Sequence, residues 1–162
     1  MRDVPTTRPV SWWAVAIHIP LLVCLIGLTY ALGFRPLIAM QFGAGLYLLY
    51  SFGSRAVLAR HHKNGMRLVS DGDFREAIPH FAASYRFFEQ YPWLDRWRAL
   101  TMLSAAALSY REMALVNTAF CYGQIGDGDK TRAAYERALS EFPGSAIART
   151  ALCMIDSVSP DP

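Results

Sequence analysis

Two short clusters of carboxylates, Asp71-Gly72-Asp73 and Asp127-Gly128-Asp129, have the residue types that begin a calcium loop. Such a loop also needs further oxygen ligands and a terminal bidentate Glu, and neither cluster supplies them at the required spacing. His61, His62 and His80 offer imidazoles, but no Cys or His stands beside them at metal-ligand spacing. The sequence has no Gly-rich loop with a Lys to cradle phosphate, no nucleophile elbow, and no Ser, His and Asp spaced as a triad. The expectation is a chain with no catalytic residues, no metal and no cofactor, hence not an enzyme. The aspartates are then turn residues, and the question becomes which elements they join.

Those turns recur 54 positions apart within a shared pattern. The first instance has Gly65, Leu68, Gly72-Asp73-Phe74, Ala77, Phe81 and Ser84; the second has Ala119, Tyr122, Gly126-Asp127-Gly128, Thr131, Tyr135 and Ala138, closing with Pro143. Small and aromatic residues at these offsets describe two antiparallel helices whose small residues allow close approach and whose aromatics fill the gap. The pattern resembles the tetratricopeptide repeat (TPR), most closely from Gly126 to Pro143. Gly65, Gly72, Ala77, Phe81, Ala119, Tyr122, Gly126, Tyr135, Ala138 and Pro143 carry the resemblance. Two departures are Gly128 at the family's aromatic position and Thr131 at its Ala position.

The resemblance implies repeat units at about 58–92 and 112–143. With about 34 residues per repeat the second unit starts late. The intervening stretch has apolar residues at 93, 94, 97, 100 and 103, a helical spacing, and reads as one inserted helix over about 93–108. Ser109 and Glu112 form a capping box for the next helix, from about Tyr110 to Ile125. A polar-faced capping helix is expected at about 145–157, followed by a frayed tail.

The family binds proteins in a groove lined by the first helix of each pair. Carried onto this chain, those positions are His62, Met66, Val69, Met113, Val116, Phe120 and Gln124, a lining that suits an apolar peptide or an amphipathic helix. The competing reading is that the inserted helix covers them. Trp93 and Trp97 face a similar choice between core filling and anchoring a partner.

Charge decides where these helices work. Of 162 residues, the 26 between Arg8 and Arg35 and the 19 between Arg35 and Arg55 carry no charge, close to or above the roughly 20 that cross a hydrocarbon core. Spans at about 11–34 and 36–54 are expected, joined at Gly33-Phe34-Arg35-Pro36 and flanked by Trp12, Trp13, Tyr47 and Tyr50 as aromatic belts. A cleaved signal peptide is the alternative for the first, but its apolar run is too long and a second span follows at once. Pro20 should kink the first span. His18, Gly27, Ala39, Gly43 and Gly45 are the expected packing positions, the small residues by close approach and His18 either as a partner contact or bonded to a carbonyl.

Arg2 and Arg8 precede the first span and Arg55, Arg60, Lys63 and Arg67 follow the second, whereas the turn holds Arg35 alone. By the positive-inside rule both termini are cytoplasmic. Cys24, Cys121 and Cys153 lack the spacing of a disulfide framework, in keeping with a reducing compartment. A net charge of +3 gives no argument for nucleic acid.

The expected architecture is all-α: a two-helix transmembrane hairpin in residues 1–54, then a TPR-like α-α superhelical domain with one inserted helix in residues 55–162. The expected function is a bacterial inner-membrane adaptor or assembly factor that scaffolds a protein partner. The alternatives are an integral structural subunit of a membrane enzyme or transporter and a homo-oligomer built through the repeats.

Overall fold

The computed structural model describes residues 12–104 and 106–158, with side chains over 16–104 and 106–157. Arg2, Arg8, the side chains of Trp12 and Trp13, and the tail from residue 159 lie outside the described residues. The described residues form an all-α fold with nine helices: α1 (Trp12–Ala31), α2 (Pro36–Leu58), α3 (Arg60–Asp71), α4 (Phe74–Gln90), α5 (Pro92–Arg96), α6 (Arg98–Thr101), α7 (Tyr110–Gln124), α8 (Gly128–Glu141) and α9 (Ala146–Val158). They divide into two compact units, one of Met1–Ala59 with Arg96–Leu108, the other of Arg60–Asp95 with Ser109–Pro162.

In the first unit α1 and α2 pack side by side. Gly33, at φ 90°, makes the turn that a residue with a Cβ adopts at a cost. Pro36 stands in the first turn of α2, where its missing N–H removes no helix bond. Across the pair, Gly43 meets Ile26 so closely that a Cβ there would lie 2.7 Å from Ile26 Cα. Beside it the buried Thr29 hydroxyl lies 2.9 Å from the Ala39 carbonyl and 2.8 Å from its own helix's Ile26 carbonyl, so its one proton serves either.

Apolar side chains cover the outside of this pair, among them Ile19, Val23, Leu37, Phe42, Leu49 and Phe52. Pro36–Leu58 is long and apolar enough to cross a membrane, and only 17% of its apolar window is buried. The core helix of a water-soluble protein would be mostly buried. Ala16–Ala31 is apolar but shorter.

The stretch expected as one inserted helix over 93–108 is different. It consists of two short pieces, α5 and α6, followed by irregular backbone with Leu103 at φ 46°. The two compact units share it out, residues up to Asp95 going with the second and those from Arg96 with the first. Within the first unit, α6 and its exit give their carbonyls to hairpin side chains. His18 Nε2 lies 3.2 Å from Ala99 O, Tyr50 OH donates to Leu100 O at 2.9 Å, and Arg55 Nε donates to Met102 O at 2.8 Å while its Nη2 reaches Leu103 O. Helical continuation would claim some of the same carbonyls, which is the physical reason the periodic pattern does not become one helix.

The second unit is built from helix pairs. α3 packs on α4, α4 on α7, α7 on α8, and α8 on α9. Both pairs turn in the same way: Asp73 N bonds to Leu68 O at 2.9 Å and Asp127 N to Tyr122 O at 3.0 Å, with Gly72 at φ 88° and Gly126 at φ 80°. This is the helix ending in which a left-handed glycine lets the next amide satisfy a carbonyl one turn back. The core is Ala77, Phe81, Tyr85, Ala114, Leu115, Ala119, Cys121, Tyr135 and Ala138, together with Val116 and Ala148. Gly65 faces Phe81, whose ring would stand 2.8 Å from a Cβ built there.

The capped helix begins as the sequence implies, with Ser109 Oγ accepting from Glu112 N at 3.1 Å. The exposed residues of α9 are mixed, Ile147 and Met154 standing among Arg149, Thr150, Asp156 and Ser157.

Candidate partner-binding surface

The groove positions come from α3 and α7, the first helix of each pair. His62 and Val116, equivalent across the repeat offset, are both buried. The His62 ring meets Phe81 at 5.4 Å and Tyr110 at 5.3 Å, both edge-on, so it belongs to the packed interior. Met66, Val69 and Phe120 are half-buried against the core cluster. Asn117 Nδ2 donates to Met66 Sδ at 3.4 Å and ties the two helices together; Phe74 at the start of α4 lies edge-on to Phe120. Met113 is half-buried and Gln124 exposed. Met66 and Phe120 are thus half-buried against the core, whereas His62 and Val116 are buried.

Of the repeat-defining residues, Ala77, Phe81, Ala119 and Ala138 are fully buried and Tyr135 nearly so. Tyr122 is half-buried and Pro143 exposed; the Pro143 carbonyl accepts from Arg149 Nη2 at 2.7 Å. In the hairpin, Ala39 and Gly43 occupy the helix contact. Gly27 and Gly45 do not, since both are exposed and a Cβ at either would meet nothing within 4 Å. They stand outside the contact they were expected to make.

Two polar features have no local sequence signature. The first joins α4, α7 and α8: Tyr85 OH lies 2.7 Å from Glu141 Oε2, Arg111 Nη2 donates to the same carboxylate oxygen at 3.1 Å, and Arg137 Nε donates to Glu141 Oε1 at 3.0 Å. Both guanidinium groups also sit over the Tyr85 ring, at 5.4 and 4.7 Å. Burial would push the Glu141 carboxyl up, but hydrogen bonds from Tyr85 and Arg137 and the charges of Arg137 and Arg111 outweigh it and hold it below the usual carboxylate range. Burial leads in raising the Tyr85 phenol. Two guanidinium groups and a phenol thus share one carboxylate, which ties α4, α7 and α8 together.

The second feature is Asp95. Its carboxylate accepts from Tyr110 N at 2.9 Å and Arg111 N at 3.2 Å. It is buried at 5% exposure, where an anion at the positive end of a helix is stabilised.

A shallow cleft of about 540 Å³ opens beside the second turn, lined by Arg75, Ile78, Tyr122, Ile125 and the residues from Gly126 to Lys130. Its aspartate serves the turn: Asp127 Oδ1 accepts from Lys130 N at 3.2 Å and Oδ2 from Lys130 Nζ at 2.7 Å. Those bonds hold its carboxyl below the usual range. Lys130 Nζ also lies over the Tyr122 ring. Among the described residues no three His, Cys, Asp or Glu converge as a metal site requires.

No family model, curated protein or solved structure matches this chain. What can be said of its function therefore comes from its own residues and their placement.

Proposed function

We propose that this chain is a membrane-anchored adaptor or assembly factor. In this reading α1 and α2 cross the inner membrane as a hairpin with both termini in the cytoplasm, and the second unit is a TPR-like domain that docks a peptide or helix of a partner protein. The observation that carries the proposal is the difference between the two units. The hairpin leaves its large apolar side chains uncovered, as a helix pair surrounded by lipid does. The second unit closes a core around stacked helix pairs with matching glycine turns.

The order of packing, α3 on α4, α4 on α7, α7 on α8, is that of a two-repeat solenoid, which supports the TPR-like reading alongside the residue pattern. Exposed Ile147 and Met154 on α9 add two large apolar positions to the polar residues at the end of the stack. Confinement by the hairpin raises the effective concentration of the docking surface for a membrane partner. Crosslinking of the full-length chain in cells, followed by enrichment, is the test. A single protein should be captured, and Met113→Lys or Gln124→Arg should lose it; a chain that enriches no protein is no adaptor.

Gly45 favours a second reading, an integral structural subunit of a membrane complex. It is exposed and has open space beside it, so another helix can approach closely there. Under that reading Gly45→Leu, not Met113→Lys, removes the partner.

A further inference from the structure

The segment Arg96–Leu108 contains a helix of only one turn followed by irregular backbone, and its described residues bond to one another and to hairpin groups within the first unit. Five successive carbonyls, Ala99 to Leu103, are reached by His18, Tyr50 and Arg55. Arg98 folds the exit back, its Nε donating to Ala106 O at 3.0 Å and its Nη2 to Ala107 O at 2.6 Å. Irregular backbone persists beside lipid only where its polar groups are satisfied in this way. The three hairpin donors lie at one end of the helix pair. His18 is six residues from the start of α1, and Tyr50 and Arg55 are eight and three residues from the end of α2. At 1.5 Å per residue these are about 5–12 Å along the helices from their ends; relative to the expected span limit at 54, Tyr50 lies just inside and Arg55 just outside, the level at which interfacial helices lie.

Met102 and Leu103 are fully buried, whereas Trp97 is 59% and Leu100 44% exposed. Trp97 stands at the N-cap of α6 and Leu100 within it, three residues on. Tyr50, whose hydroxyl bonds to the Leu100 carbonyl, is exposed as well.

We infer that Arg96–Leu108 is an interfacial foot, with Trp97 and Leu100 seated in the boundary between headgroups and acyl chains where α1 begins and α2 ends. This rests on the reading of α1 and α2 as membrane-spanning. The occupant of the exposed face is the lipid that surrounds the hairpin at the same level, because the foot is bonded to the hairpin and its exposed Trp97 and Leu100 join the exposed Tyr50 there. Tryptophan, apolar in its ring body with one N–H donor, suits that layer.

Fluorescence quenching of the full-length chain in phosphatidylcholine vesicles tests this. In one variant Trp12, Trp13 and Trp93 are replaced by Phe, leaving Trp97 alone. Lipids brominated near the carbonyl end of the acyl chain should lower its emission to about half, and lipids brominated near the methyl end should quench it less. A second variant, with Trp97→Phe added and Leu100→Trp as the sole reporter, should give the same shallow profile.

The reference is Leu46→Trp in the chain without other tryptophans, which deep bromines should quench most if α2 spans the bilayer. If Leu46→Trp is quenched deeply while Trp97 and Leu100→Trp are not quenched, the foot faces water or protein and the inference is wrong, with the membrane reading intact. If none of the three is quenched, both fall.

Discussion

Asp95 caps the helix that begins at Tyr110: its Oδ1 lies 2.9 Å from Tyr110 N, and its Oδ2 lies 3.2 Å from Arg111 N. Fifteen residues separate the partners, so the bond fastens the short α5 to the start of α7. A buried charged acceptor bonded to two amides is worth about 1.5–3 kcal/mol per bond lost. Asp95→Ala should therefore destabilise the full chain by about 2–4 kcal/mol, and Asp95→Asn, which keeps one acceptor, by less. Thermal unfolding in micelles followed by circular dichroism reads this; equal melting temperatures for wild type and Asp95→Ala would exclude the capping role.

Gly65 and Gly123 should respond oppositely to alanine. Alanine gains about 0.5–1 kcal/mol over glycine inside a helix. At Gly65 that gain meets the Phe81 ring, with Cε1 at 2.8 Å and Cδ1 and Cζ at 3.0 Å from the new methyl. Phe81 is fully buried and cannot swing aside, so overpacking costs about 1–3 kcal/mol and Gly65→Ala is net destabilising. At Gly123 the nearest atom is Thr131 Cγ2 at 3.6 Å, an ordinary contact, and Gly123→Ala should raise the melting temperature. A raised melting temperature in Gly65→Ala would contradict the packing at Gly65, and a lowered one in Gly123→Ala would contradict the room at Gly123.

These residues also mark what the sequence made legible. Gly72 and Gly126 were readable because a left-handed turn selects glycine, and Ser109 was readable because its amide partner lies three residues away. Helix pairs follow from such local signals. The stretch from Trp93 to Leu108 was not readable, because its apolar spacing is helical whereas its carbonyls are claimed by side chains from 47 to 81 residues away. The Tyr85, Arg111 and Glu141 cluster joins groups 26 to 56 residues apart, and nothing local announces it. For the expected groove residues, position along α3 and α7 follows from the repeat resemblance, but depth does not: His62 and Val116 are both buried, the histidine ring meeting those of Phe81 and Tyr110.

Acid should loosen the junction of α4, α7 and α8. The Glu141 carboxyl is held below its usual value of 4.5 in the folded chain. A depressed folded value means that the stabilisation is fully present above the unfolded pKa, about 4.3, and is lost as pH falls through the lower folded value. Because Glu141 is only partly buried, the effect is screened and modest. Melting temperatures from pH 7 down to pH 3 should show wild type above Glu141→Gln at neutral pH, with the gap closing in acid. A gap that stays constant over that range would remove Glu141 from the acid response.

Cys121 should resist alkylation. It is fully buried, and burial pushes its thiol up to about 11, so at pH 7.5 almost none is the reactive thiolate. Cys153 is exposed. In N-ethylmaleimide labelling of the folded chain read by mass spectrometry, Cys153 should be modified and Cys121 protected until urea unfolds the protein. Equal labelling of the two before denaturation would contradict the packing of Tyr135 and Cys121 in one core.

Gly43 and Gly45 separate the integrity of the hairpin from its use. A side chain at Gly43 would meet Ile26 Cα at 2.7 Å and Ile26 N at 2.8 Å, atoms of the opposing backbone that cannot yield without moving α1 away from α2. That shift would also break the Thr29 to Ala39 hydrogen bond, which requires the present spacing. Gly43→Leu should therefore loosen the hairpin by several kcal/mol's worth of lost packing, of the order of 1–3 kcal/mol or more, and show faster proteolysis within residues 32–35. Gly45→Leu has open space and should leave protease resistance unchanged. Whatever Gly45→Leu then does to co-purification with a partner is due to the outer face of the hairpin, so retained capture by Gly45→Leu together with loss in Met113→Lys selects the adaptor over the structural subunit.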